Sequence, residues 1–188
     1  MESPARARLE ELYGRLAAFF QRVDAAAPGA MACRAGCSDC CGESFSVTAV
    51  EAAAVADALA ALPSDRRLAV AGRVGAGPCT ALDPDGRCAV YEGRPAICRT
   101  HGLPIRFATA SEERREGPDP PDARRRLPVI DACPKNFVGR DLDELDRSWV
   151  LDQVTVSTIL AAIDAAWASE RGEGVARARV ALDDVLRG

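Results

Sequence analysis

Leu9, Leu12, Leu16, Phe19 and Val23 recur at three- and four-residue steps with charged residues between them. That period predicts an N-terminal amphipathic helix ending near Pro28-Gly29. Thr48 and Glu51 form a capping box for a second helix running to about Leu62, with Ala52, Val55, Ala56 and Leu59 as its packing face. Pro63 stops this helix, and Ser64 is placed to cap a shorter one through Val70. Further on, Asp141 and Glu144 give another capping signal. Leu142, Leu145, Trp149, Val156, Ile159, Leu160, Ile163 and Trp167 then predict one long helix, and Val175 to Leu186 a final one.

The middle of the chain breaks this period. Cys79 to Leu82 is extended, Asp83-Pro84-Asp85-Gly86 is a turn signal, and Arg87 to Tyr91 resumes the extended character, so a short hairpin is expected. Pro95 suits the first position of a helical turn that Gly102 would end, with Cys98 and His101 on one side. Residues 111–126 carry three prolines and few apolar side chains, the composition of a surface loop or lid. The predicted architecture is mainly α: helices around a small irregular cysteine-rich metal-binding centre with a short hairpin. Residues 1–188 read as a single domain, with residues 30–137 as a cysteine-cluster core flanked by N- and C-terminal helices.

Composition narrows the setting. With 188 residues, 48% of them hydrophobic, the chain can bury a core without disulfide staples. Its 28 acidic and 24 basic residues leave a net charge of -4, without the basic footprint of a nucleic-acid binder. Arg124, Arg125 and Arg126 read as a solvated surface run. Glu2, Glu10 and Glu11 interrupt the start where an export signal needs a basic and then an apolar stretch. No run of about eighteen apolar residues suggests a membrane span. The expectation is a cytoplasmic protein with no nucleic-acid and no membrane partner, in a compartment where disulfides are uncommon.

Against that background the cysteines stand out. Half of the eight fall within residues 33–41, "CRAGCSDCC". On helical turns Cys33, Cys37 and Cys40 would stack on one face, whereas Cys41 would point about 100° away from Cys40. Either the backbone bends around one metal or the adjacent thiols serve different ions, and a polynuclear cluster accommodates both directions. Cys79, Cys88, Cys98 and Cys133 lie beside turn-forming or proline-containing sequence that can bend a thiol inward. All eight are candidate metal ligands, and an all-sulfur set suits zinc or an iron–sulfur cluster. Two other readings exist: free cysteines buried as small hydrophobes, and a complete disulfide frame. Crowding and adjacency weigh against the first, and the expected compartment against the second. Cys133-Pro134 is similar to the end of some ferredoxin motifs, but their C-x2-C-x2-C-x3-C order is absent.

Two segments together carry a resemblance. The first is Cys33, Cys37, Cys40 and Cys41; the second is Cys88, Tyr91, Arg94, Pro95, Cys98 and Arg99 within "CAVYEGRPAICR". The chain resembles the YkgJ-like cysteine-cluster proteins, described as a zinc- or iron-chelating domain. That family has a C-x2-C-x2-C-C group followed by C-x-x-Y-x-x-R-P-x-x-C-R, and here the first gap is one residue longer. The resemblance covers about residues 30–137. It implies metal binding through the cysteines, with Cys79 and Cys133 at the positions of the remaining family cysteines. The family is also similar to the cysteine-rich part of flagellin lysine methylases, which supports iron–sulfur. Without a cofactor-binding glycine motif in this chain, no methyl transfer carries over.

Around the thiols, Arg94 and Arg99 flank Cys98 and are candidates to neutralise thiolate charge from outside the ligand set, with surface solvation, or helix-end pairing for Arg99, as the alternative. His101, the single histidine, is a candidate labile ligand or proton-transfer group, with a cap or surface role as its alternative. Tyr91 is expected in the core, with a cover over the metal site as its alternative; Asp131 is an acid near Cys133, and Trp149 and Trp167 are expected to pack the long helix. No phosphate loop, dinucleotide signature, HExxH helix or serine elbow is present. The expected function is a cysteine-ligated metal protein holding an iron–sulfur or other polynuclear centre for redox chemistry or electron transfer. The alternative is a zinc-stabilised structural or interaction module, and whether the protein is an enzyme stays open. Its expected partner is a protein that exchanges electrons or metal with it.

Overall fold

The computed structural model describes residues 3–73, 79–107, 129–173 and 179–187. Helix α1, Pro4–Ala26, begins as its sequence dictates: Pro4 needs no N–H donor at the first position, and the Ser3 hydroxyl accepts from the Arg6 N–H at 3.1 Å. Leu9, Leu12, Leu16 and Val23 are buried on one side of it. They pack against Val156, Leu160 and Ile163 of α5, Gln153–Glu170, in one continuous apolar cluster. The Glu170 carboxylate at the end of α5 accepts from the Ala5 N–H at 2.9 Å, tying the start of one helix to the end of the other.

Helix α2 spans Ala49–Ala60 and carries the expected capping box, Thr48 with Glu51. Its buried face is Val50, Glu51, Val55 and Leu59. Ala52 is partly buried and Ala56 is exposed, so the buried face takes in Val50 and Glu51 in place of Ala56. Helix α3, Ser64–Ala71, is flanked by Pro63, and Ser64 is its first helical residue rather than a cap. A second apolar cluster gathers Val55 and Leu59 of α2, Val70 of α3, Ala81, Val90, and Leu182 and Leu186 of α6, Leu182–Arg187.

The strands are short. Ser46–Val47 (β1) pairs antiparallel with Val180–Ala181 (β5), and Ile105–Phe107 (β2) lies between antiparallel Val129–Asp131 (β3) and parallel Leu151–Asp152 (β4). This corrects two helix expectations. The C-terminal segment opens as β5 before α6, and residues 174–178 lie outside the described residues. The predicted long helix starts only at Gln153. Ahead of it, 3-10 turns at Leu142–Glu144 and Arg147–Trp149 are closed by Asp141 and Asp146, whose carboxylates accept from the N–H two residues on. Such local side-chain bonds compete with helix propagation, and pairing of Leu151 with Ile105 completes the break. Trp149 and Trp167 still pack against the main apolar cluster, one from a 3-10 turn and one from α5.

The described residues are mainly helical, with few short strands. Among them no helix is long and apolar enough to cross a membrane. The proposed surface loop at residues 111–126 lies outside the described residues.

Candidate metal centre

Residues 33–41 are not one helix. The Cys37 N–H closes a turn on the Arg34 carbonyl at 2.9 Å, with Gly36 at φ +89°, a conformation that glycine adopts without the Cβ penalty. A 3-10 turn over Asp39–Gly42 follows, anchored by the Cys41 N–H on the Ser38 carbonyl. The backbone therefore bends between Cys33 and Cys40, and Cys40 and Cys41 share one tight turn.

The expected hairpin exists in minimal form. Leu82 and Cys88 make a single antiparallel bridge, supported by the Ala89 N–H on the Ala81 carbonyl at 2.7 Å and the Asp83 N–H on the Arg87 carbonyl at 2.8 Å. Two contacts dock it on the first cysteine segment. The Cys79 N–H donates to the Cys41 carbonyl at 2.6 Å. At its tip, a Cβ added to Gly86 would lie 3.2 Å from the Gly36 carbonyl oxygen. The chain then makes a 3-10 turn at Tyr91–Gly93 and enters α4, Ala96–Thr100, which carries Cys98. The N-terminus of α4 is fixed by the buried Glu51 carboxylate, which accepts from the Ala96 N–H at 2.8 Å and from the Thr48 N–H at 3.1 Å.

Cys33 and Cys133 are held differently. Buried Asn136 accepts from the Ala32 N–H at 2.7 Å and donates to the Cys33 Sγ at 3.2 Å and the Gly102 carbonyl at 2.5 Å. Its own N–H closes a turn on the Cys133 carbonyl at 2.8 Å. Next to it, Phe137 is buried at φ +54°, a left-handed conformation that costs a non-glycine residue about 1–2 kcal/mol. The Phe137 N–H on the Ala30 carbonyl at 2.7 Å helps to hold it there. Gly102 has no room for a side chain, since a Cβ would lie 2.3 Å from the Cys33 Sγ. Lys135 pairs with Asp39 at 2.5 Å across the gap between the two segments.

All eight cysteines are free thiols, and all are partly exposed, unlike cysteines that serve only as core filler. Burial pushes Cys98 up to about 12, helped by the thiols of Cys79, Cys88 and Cys40. Burial also raises Cys33, Cys79 and Cys88. Cys40 is the exception: a hydrogen bond from Cys41, with help from His101 and Arg94, brings it down to about 6, while the same bond drives Cys41 upward. Metal binding to the raised thiols must therefore expel protons.

The neighbouring side chains sort as follows. Arg94 lies with its guanidinium 3.5 Å from the Tyr91 ring centroid and favours the thiolate forms of Cys40, Cys88 and Cys98. Tyr91 is 54% exposed under that cation, which corrects its expected core position. Arg99 stacks 4.1 Å from the buried Tyr13 ring and donates to the Arg94 and Glu92 carbonyls, bracing the turn before α4. His101 sits edge-on to Phe45 at 5.8 Å and supports the Cys40 thiolate. Asp131 is exposed, and its carboxylate accepts from the Ala132 N–H. Sequence reasoning passed over Asn136, Lys135 and the reach of Glu51 to α4. The one available signal was an asparagine placed to close the turn after Cys133-Pro134.

The donor set fits a soft metal in its chemistry: sulfur throughout, with cations and an amide N–H close by. Among the described residues, however, no three histidine, cysteine or acidic side chains already surround one point as a metal would require. Residues 32–115 match a family model, CxxCxxCC, described as "Putative zinc- or iron-chelating domain". This segment is similar to that family over less than half of the chain. The match takes in seven of the eight cysteines and ends before Cys133, short of the span expected from the motifs. No curated protein and no solved structure matches the chain. For the CxxCxxCC segment, zinc or iron is thus the supported metal class.

Proposed function

We propose that this protein chelates metal as an iron–sulfur or other polynuclear thiolate centre, used for redox chemistry or electron transfer with a protein partner. The observation that supports the reading is the tight turn at Asp39–Gly42, which puts Cys40 and Cys41 next to each other beside the hairpin that starts at Cys79, whose N–H bonds to the Cys41 carbonyl. If Cys79, Cys88 and Cys98 close on that pair when metal binds, five thiols exceed what one tetrahedral ion takes, whereas a cluster can share them. When bound, such a centre supplies reversible electron storage. The chain's own contribution is to gather the thiols, to balance their negative charge with Arg94, and to hold the turn before α4 in place through Arg99. His101, which favours the Cys40 thiolate, is the candidate proton-transfer group of this reading.

A zinc-stabilised module is the competing reading, favoured by the weak hairpin, whose single bridge leaves Cys79 to Cys88 in need of a staple. Anaerobic purification followed by iron, zinc and acid-labile sulfide analysis separates the two. Iron with sulfide and a reducible visible absorption is expected. Stoichiometric zinc, with no sulfide and no reversible reduction, overturns the redox reading in favour of the module.

A further inference from the structure

One buried amide near the thiols points a donor at sulfur. Asn136 is 4% exposed. Its Oδ1 accepts from the Ala32 N–H at 2.7 Å, and its Nδ2 donates to the Gly102 carbonyl at 2.5 Å and to the Cys33 Sγ at 3.2 Å. These partners fix which way the amide faces. Turned over, it would set two donors together at Ala32 and two acceptors together at Gly102. A nitrogen with an N–H to give therefore faces the sulfur. The sulfur is confined as well, since a Cβ on Gly102 would lie 2.3 Å from it and 3.1 Å from the Asn136 Nδ2. On the far side, the Asn136 N–H bonds to the Cys133 carbonyl at 2.8 Å, and Phe137 keeps its φ of +54° with its own N–H on the Ala30 carbonyl. Backbone held in such a conformation persists only where its surroundings over-determine it, and it clusters at functional sites.

We propose that Asn136 is the positioning residue of Cys33: its amide N–H holds that sulfur in place as a metal donor, so that the thiol segment is supported from the Cys133–Phe137 turn. This rests on the thiolate-chelation reading above and adds to it a residue that is not itself a ligand. Bracing alone does not account for the contact, because the bonds to Ala32 and Gly102 already join those two segments. A neutral thiol is a weak acceptor, whereas a thiolate takes a charge-assisted bond about twice as strong as a neutral one. The N–H on Cys33 is thus worth most once that sulfur has given up its proton to a metal, when it orients the thiolate and draws charge from it. Asn136 lies outside residues 32–115, so this support comes from chain beyond the family match.

The test titrates the full chain with cobalt without oxygen, beside Cys33→Ser, Asn136→Asp and the double variant. Asn136→Asp keeps an acceptor for the Ala32 N–H and removes the donor to sulfur. It should weaken cobalt binding by about 10- to 100-fold and shift the thiolate charge-transfer band. In the Cys33→Ser background the same change should add little, because the bond acts through that sulfur. A mere brace would lower the denaturation midpoint and leave affinity and band unchanged. That result overturns the proposal, and so does an equal loss of affinity in both backgrounds. Where far-UV circular dichroism shows that Asn136→Asp does not fold, the wild type loaded with cadmium-113 decides instead. An NMR coupling between the metal and the Asn136 side-chain N–H is expected through the sulfur, and its absence overturns the proposal. A folded wild type that retains no cobalt, cadmium, zinc or iron removes the chelation reading itself.

Discussion

The α1–α5 region and the cysteine region solve the same problem by different means. Between α1 and α5, order comes from repeated apolar side chains: Leu9, Leu12, Leu16, Val156, Leu160 and Ile163 bury against one another, and the backbone is regular helix. Around the thiols, order comes from single bonds to particular atoms. Asn136 bridges three segments, Glu51 holds two helix starts, and glycines at 86 and 102 allow backbone and sulfur to come close. The first arrangement tolerates changes in detail because many contacts share the load. In the second, each polar group has an assigned partner, and removing one leaves another unsatisfied.

The largest effect should come from breaking the helical side. Leu9 is 1% exposed, so Leu9→Ala should cost about 2–5 kcal/mol of stability by opening a cavity. Chemical denaturation measures this, and metal bound per folded molecule should not change. A parallel loss of metal would show that the two regions are not separable.

Next comes the contact where they meet. Glu51→Gln replaces a carboxylate oxygen by an N–H₂ facing either the Thr48 or the Ala96 N–H, at a cost of about 1–3 kcal/mol. Hydrogen exchange should speed up at the N-termini of both α2 and α4. Protection lost at α2 alone would confine Glu51 to its capping box.

The smallest effect belongs to Asp152, which caps α5 away from the thiols. Its partial burial favours the neutral form, but the Thr155 N–H at 2.7 Å and Arg106 outweigh this and hold the carboxyl below its ordinary range. The folded state therefore gains from the charged form at neutral pH and loses that gain as pH falls below about 4. Asp152→Ala should cost about 1 kcal/mol at pH 7, and the gap in melting temperature from wild type should close on acidification. A gap that stays constant with pH would remove the charge from the explanation.

Legibility followed the same divide. The α1 stripe and the Thr48–Glu51 box could be read because periodicity and capping are local, and both stand where expected. The helix expected from Leu142 could not, because a run of apolar residues with helical spacing carries no sign that Asp141, Asp146 and Asp152 will each capture nearby N–H groups. Tyr91 was misplaced since its exposure depends on Arg94 covering the ring, a contact across the Glu92-Gly93 turn. The thiols themselves were plain from their crowding. What holds Cys33 was not, because Asn136 lies about a hundred residues away from it and pairs only after folding.

Two deeply placed acids have a mechanical consequence. Glu51 grips the first turn of α4, and one residue earlier the Val50 N–H rests on Asp164 of α5 at 2.9 Å. The helix bearing Cys98 and the longest C-terminal helix are thus riveted in series through α2. A pull on that sulfur reaches the far side of the molecule through two carboxylates, with little slack between them.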